Sequence, residues 1–104
     1  MIKAELFEGD GGRLAGFRVS GHSGTAARGE DIVCAGVSAI VQSAALGIME
    51  HLCRPVDVED ADGVLALRLR DDPDELTEAV MQAMLLGLRE IEKLYPKALS
   101  IRMR

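Results

Sequence analysis

Apolar and polar positions alternate from the start of the chain, so Ile2-Lys3-Ala4-Glu5-Leu6 reads as a half-buried strand. Gly9-Asp10-Gly11-Gly12 is a turn, and Leu14 to Ser20 completes a hairpin. From Gly21 to Glu30 the periodicity stops. Glycines and small residues predict a mobile loop there. Asp31 reads as an N-cap for a helix from Ile32 to about Leu52, which Arg54-Pro55 ends. Val56 to Glu59, the turn Asp60-Ala61-Asp62-Gly63 and Val64 to Arg70 predict a second hairpin. In Asp72-Pro73-Asp74-Glu75 a second helix begins, with Asp72 as cap, Pro73 at the first helical position and Glu75 at the third. It runs to about Tyr95, before Pro96. Leu99, Ile101 and Met103 alternate in a last strand. The order ββαββαβ predicts an α+β fold, a two-layer α/β sandwich with two helices on a largely antiparallel sheet. At 104 residues the chain is expected to form a single domain, 1–104.

The second helix carries more apolar surface than one stripe needs. Leu76, Val80, Met84, Gly87, Ile91 and Leu94 form one face, with Met81, Leu85 and Leu88 to one side. Two explanations stand side by side: a helix sunk deep in the core, or a homodimer interface.

Composition narrows the functional classes. Hydrophobic residues make up 48% and aromatics only 3%, so the core is aliphatic and methionine-based. The net charge of -5 lacks the excess of Lys and Arg that phosphate binding uses, which argues against a nucleic-acid partner. Ile32 to Met49 is long and apolar, but Ser38, Gln42 and Ser43 interrupt it, so it reads as a core helix and no membrane association is expected. With only Cys34 and Cys53, there is no disulfide framework. A cytoplasmic location is expected.

Cys34 is the first candidate for chemistry. A cysteine in an apolar helix is usually an inert small hydrophobe. With Asp31 as cap, however, it falls in the first turn, where unpaired N–H groups and the positive dipole end favour a thiolate. His22 ends the second strand, and only Ser23 to Glu30 separate it from the helix start. Strand end and helix start can therefore lie close, pairing imidazole with sulfur as base and nucleophile. Asp31 either caps the helix or orients His22. Ser38, one turn on from Cys34, either bonds back to a helix carbonyl or orders the site. The Cys34 N–H and its first-turn neighbours could form an oxyanion hole. His51 and Cys53 lie at the far end of the helix without a second ligand pair, so no metal site is expected. Asp57, Glu59, Asp60 and Asp62 read as a solvated acidic hairpin.

Gly21-His22-Ser23-Gly24, followed by Gly29-Glu30-Asp31-Ile32-Val33-Cys34-Ala35-Gly36-Val37-Ser38, resembles the ribosomal-processing cysteine protease family called Prp. The resemblance rests on residue types and the His-to-Cys interval together, and element order and length extend it over the whole chain. It implies His22 as general base, Cys34 as nucleophile, and Asp31 and Ser38 as supporting residues. It also implies a substrate-binding loop containing Ser23, Gly24, Gly29 and Glu30, which acts as a lid, and no cofactor. The implied substrate is the short N-terminal extension of a bacterial large-subunit ribosomal protein, and the implied assembly is a homodimer. Ser23 stands where Ala is common in that family. The rival reading is a non-catalytic ribosome-associated binding module with a structural Cys34.

Overall fold

The computed structural model of the chain describes residues 1–21 and 28–104, with the side chains of 28–31 outside the description. Strands β1 (Ile2–Glu8) and β2 (Leu14–Ser20) pair antiparallel. Helix α1 (Arg28–Leu46) continues into a π-helical turn, Gly47–His51. Strands β3 (Val56–Ala61) and β4 (Val64–Leu69) form the second hairpin, followed by α2 (Glu75–Leu94) and β5 (Leu99–Met103). The sheet order is β3-β4-β2-β1-β5. Every pair is antiparallel except β1 with β5. The ββαββαβ order and the α+β class follow the reading of the sequence. The parallel pair arises because α2 carries the chain from β4, on one side of the sheet, to the opposite edge.

Strand alternation becomes a core through register. Leu6 lies opposite Phe17, and Phe17 opposite Leu67, so three fully buried side chains form one row across the sheet. Directly opposed residues point to the same face, which is the face the helices cover. Val33, Val37, Val41 and Ile48 of the first helical stretch and Met81, Met84, Leu85 and Leu88 of α2 close over it. Full burial of a side chain such as Phe17 stabilises the fold by roughly 1.5–3 kcal/mol. Ile32–His51 is long and apolar enough to cross a membrane by length and composition, with a mean hydropathy of 2.0. Here it lies along the sheet and buries one side in this core.

Three local expectations change. The helix holding Cys34 starts at Arg28, so Asp31 lies inside its first turn instead of capping it. Gly29 and Glu30 accordingly belong to the helix and not to the preceding loop. The cap of α2 is Asp74, two residues beyond the expected Asp72. Its Oδ1 accepts from the N–H groups of Leu76 (2.8 Å) and Thr77 (3.0 Å), while Thr77 Oγ1 accepts from the Asp74 N–H at 2.9 Å. Arg54 Nε donates to Asp74 Oδ2 at 2.9 Å. The reciprocal bonds between Asp74 and Thr77, joined by Arg54, select Asp74 over Asp72. On α2 the buried stripe is Thr77, Met81, Met84, Leu85 and Leu88, whereas Leu76 (56% exposed) and Leu94 (75%) face outward.

Candidate active site

The site assembles where four elements meet. A helix repeats every 3.6 residues, so positions four apart return to nearly the same side. Cys34, Ser38 and Gln42 of α1 thus stand in a row, with Val37 and Val41 beside them. Facing them is the tip of the β3–β4 hairpin, from Asp60 to Leu65, and Ile2 of β1 and Val19 of β2 form the floor. The cavity between these walls has a volume of about 470 Å³. Cys34 is half-buried in it and both cysteines are thiols.

Glycines hold two approaches that shape this cavity. Gly21 has φ 89, and a Cβ there would lie 2.6 Å from the Met1 carbonyl oxygen. Its N–H donates to the Gly63 carbonyl at 3.0 Å, which ties the end of β2 to the hairpin tip. Gly63 itself has φ 74, the left-handed conformation that closes the two-residue turn between Ala61 and Val64. Gly21 is the residue immediately before His22, and it lines the same cavity as Cys34.

The acidic residues of the hairpin are exposed, as its reading as a solvated turn expects, but they divide by face. Asp57 and Glu59 lie on the outer face of the sheet, where Arg70 (2.9 Å) and Arg18 (3.3 Å) pair with them. Asp60 lies opposite Leu65 on the helix-facing side, and Asp60 and Asp62 both line the cavity. Neither makes an ion pair among the described residues. Alternation along β3 produces the split, since successive side chains point to opposite faces.

Of the residues expected at the site, the structure brings Cys34 and Ser38 into one cavity. His22, Ser23 and Gly24 lie outside the described residues, as do most of the expected lid and the side chains of Glu30 and Asp31. The first-turn argument for Cys34 does not carry over. With α1 starting at Arg28, Cys34 falls in the second turn, and a helical N–H there points to the carbonyl four residues back. That N–H is therefore not an open oxyanion donor in this conformation. At the other end, Cys53 adopts φ 53 just after the helix, and its Sγ donates to the Glu50 carbonyl at 3.4 Å. No group of three or more His, Cys, Asp and Glu able to hold a metal occurs among the described residues. Gln42, Asp60 and Asp62 were not anticipated as site residues. For Gln42 a signal existed, since it lies two four-residue steps from Cys34. For the acidic pair, only the packing of the hairpin against α1 reveals the role.

Comparison with known proteins now decides between families. The model of a family described as cysteine protease Prp matches residues 1–100. The chain belongs to the Prp cysteine protease family. It is 30% identical over 99 residues to the ribosomal processing cysteine protease Prp of Staphylococcus aureus, covering 91% of this chain and 92% of that protein. A crystal structure of S. aureus Prp in complex with a substrate peptide superimposes with a TM-score of 0.91 at 25% identity, covering 100% of both chains. A second, with a covalently linked product peptide, gives 0.89 at 26% identity, again over 100% of both. This Prp-family chain is accordingly a cysteine peptidase of ribosomal protein processing with the family's α+β fold. The rival reading as a non-catalytic module with a structural Cys34 loses its basis, because the matched relatives are proteases.

Proposed function

We propose that this protein removes the short N-terminal extension of a bacterial large-subunit ribosomal protein, with Cys34 as nucleophile and His22 as general base. The observation that carries the assignment is the half-buried Cys34 on the wall of a cavity of about 470 Å³. Gly21 at the rim of that cavity hands the chain on to His22, which supports the pairing of imidazole and thiol. In the reaction the Cys34 thiolate attacks the scissile carbonyl carbon and the π electrons move to oxygen. The tetrahedral intermediate collapses, the C–N bond breaks, and the His22 imidazolium gives its proton to the leaving amine. Water, deprotonated by His22, then attacks the thioester and releases the new carboxyl terminus and the thiol. Asp31 and Ser38 support the pair, and the segment from Ser23 to Glu30 contacts the peptide. No cofactor enters these steps.

The protein works in this reading as a single domain, 1–104, in the cytoplasm, where ribosomal proteins are made. It acts as a homodimer. Supporting the dimer, Ile32, Leu46, Leu76, Leu86 and Leu94 remain 52–75% exposed on the outer side of the helices. Between the two helices lies an apolar groove containing Ile40, Ala83 and Met84. Such a face is larger than a monomer's outer layer needs. Mass spectrometry of the extended ribosomal precursor after incubation with wild type, Cys34→Ala and His22→Ala tests the assignment. Trimming by wild type alone is the expected result. Trimming by Cys34→Ala at the normal rate removes it.

A further inference from the structure

We infer that Gln42 is a substrate-binding residue of this enzyme, holding the main chain of the peptide three to four residues from the cut. The inference rests on the reading of the Cys34 cavity as the peptidase site and adds a residue to it.

Cys34 and Gln42 line one cavity from the same side of α1. At 1.5 Å per residue they lie roughly 12 Å apart along the helix axis. An extended peptide advances about 3.3 Å per residue, so one running along α1 from the sulfur reaches Gln42 after three or four residues. Peptide N–H and C=O groups that leave water need partners. Among the described residues, Cys34, Ser38 and Gln42 are the lining side chains able to donate to a peptide carbonyl, since the others are Ile, Val, Leu, Ala, Gly or Asp. An ionised Asp only accepts. Cys34 is committed to the reaction and Ser38 stands one turn from it. Gln42 therefore supplies the distal donor, and its carboxamide also carries an acceptor, so it can match both halves of one peptide unit. Its side chain has no hydrogen-bond partner among the described residues that peptide would have to displace. The ordinary alternative is a solvated helix residue, which would be indifferent to substitution.

The test measures kcat and KM for wild type, Gln42→Leu and Gln42→Glu on synthetic peptides spanning the cleavage site. The peptides are shortened one residue at a time from each end. Leu and Glu are as good helix formers as Gln, so α1 is preserved. Losing one or two hydrogen bonds should raise KM about 10-fold for Gln42→Leu on the long peptide, with kcat within about twofold. Gln42→Glu keeps an acceptor and loses the donor, and should fall between. On one side of the cut the penalty should disappear once fewer than three residues remain, which also assigns the direction of the peptide. A KM at or below the wild-type value, a penalty independent of length, or a loss confined to kcat would each overturn the role of Gln42. Cleavage that persists in Cys34→Ala would instead overturn the underlying site, so the two failures are distinct.

Discussion

The two helices of this protein invite comparison, because each carries an aspartate near its start and the structure uses only one as a cap. Asp74 accepts two backbone hydrogen bonds, receives Arg54 and forms a reciprocal box with Thr77. Glu78 Oε1 of the same helix accepts from the Leu14 N–H at 2.9 Å, tying α2 to β2. In α1, Asp31 lies within the first turn, past the true start at Arg28. The helix that holds the fold together is anchored at its first residues by bonds reaching strand and loop. The helix that carries Cys34 presents a row of polar side chains, Cys34, Ser38 and Gln42, to a cavity. Stability and chemistry are thus divided between two helices covering the same face of one sheet, and substitutions can separate them.

The largest contrast lies at Cys34. Replacing it with Ala should lower cleavage of the extended precursor by at least about 10³-fold while the thermal midpoint stays at the wild-type value. Unfolding monitored by circular dichroism would expose the division as false if the midpoint collapsed as well. Leu88→Ala, in the buried stripe of α2, should do the reverse. It should cost about 2–5 kcal/mol in denaturant unfolding, with cleavage per folded molecule retained. Loss of turnover in the still-folded protein would mean that α2 reaches the site.

Leu86→Glu probes the outer side of α2, where Leu86 is 63% exposed. If the proposed homodimer forms through this face, sedimentation should show Leu86→Glu as a monomer with the fold retained, since the residue lies outside the core. A sedimentation coefficient unchanged from wild type would place the interface elsewhere.

The smallest effect belongs to the cap. The hydrogen bond from the Thr77 N–H, followed by that from Arg54, holds the Asp74 carboxyl below its ordinary range. A depressed folded-state value stabilises the protein above the unfolded Asp range. That contribution is lost as pH falls through this range toward the lowered folded value. Asp74→Asn keeps a capping oxygen and cannot titrate, so its stability should fall less steeply on acidification than that of wild type. Parallel acid-unfolding curves for the two proteins would show that Asp74 does not contribute to the slope.

Much of this arrangement was legible in the chain because it depends on neighbours in sequence. Ile2, Ala4 and Leu6 alternate into the core as their spacing requires, and Leu99 does the same in β5. The His22 to Ser38 run carried the family, which the comparisons then established. Less was legible where two local solutions were nearly equal. Asp72 and Asp74 both precede a helix-forming run, and Arg54, twenty positions away, helps to choose between them. Asp31 is a good cap by type, but the backbone continues the helix past it to Arg28. Two overlapping apolar stripes on α2 fitted the sequence, and contact with the sheet selected Met81, Met84, Leu85 and Leu88.

By itself, then, the sequence determined the elements, their order and the presence of a cysteine reading as a nucleophile, since hydrophobic period and motif spacing are local properties. Only the tertiary structure decided that β5 joins β1 in parallel, that Asp60 and Asp62 turn toward Cys34 while Asp57 and Glu59 turn away, and that Gln42 extends the same cavity. Those outcomes depend on strand register and on packing between distant segments. Such contacts form only when the helix layer settles on the sheet.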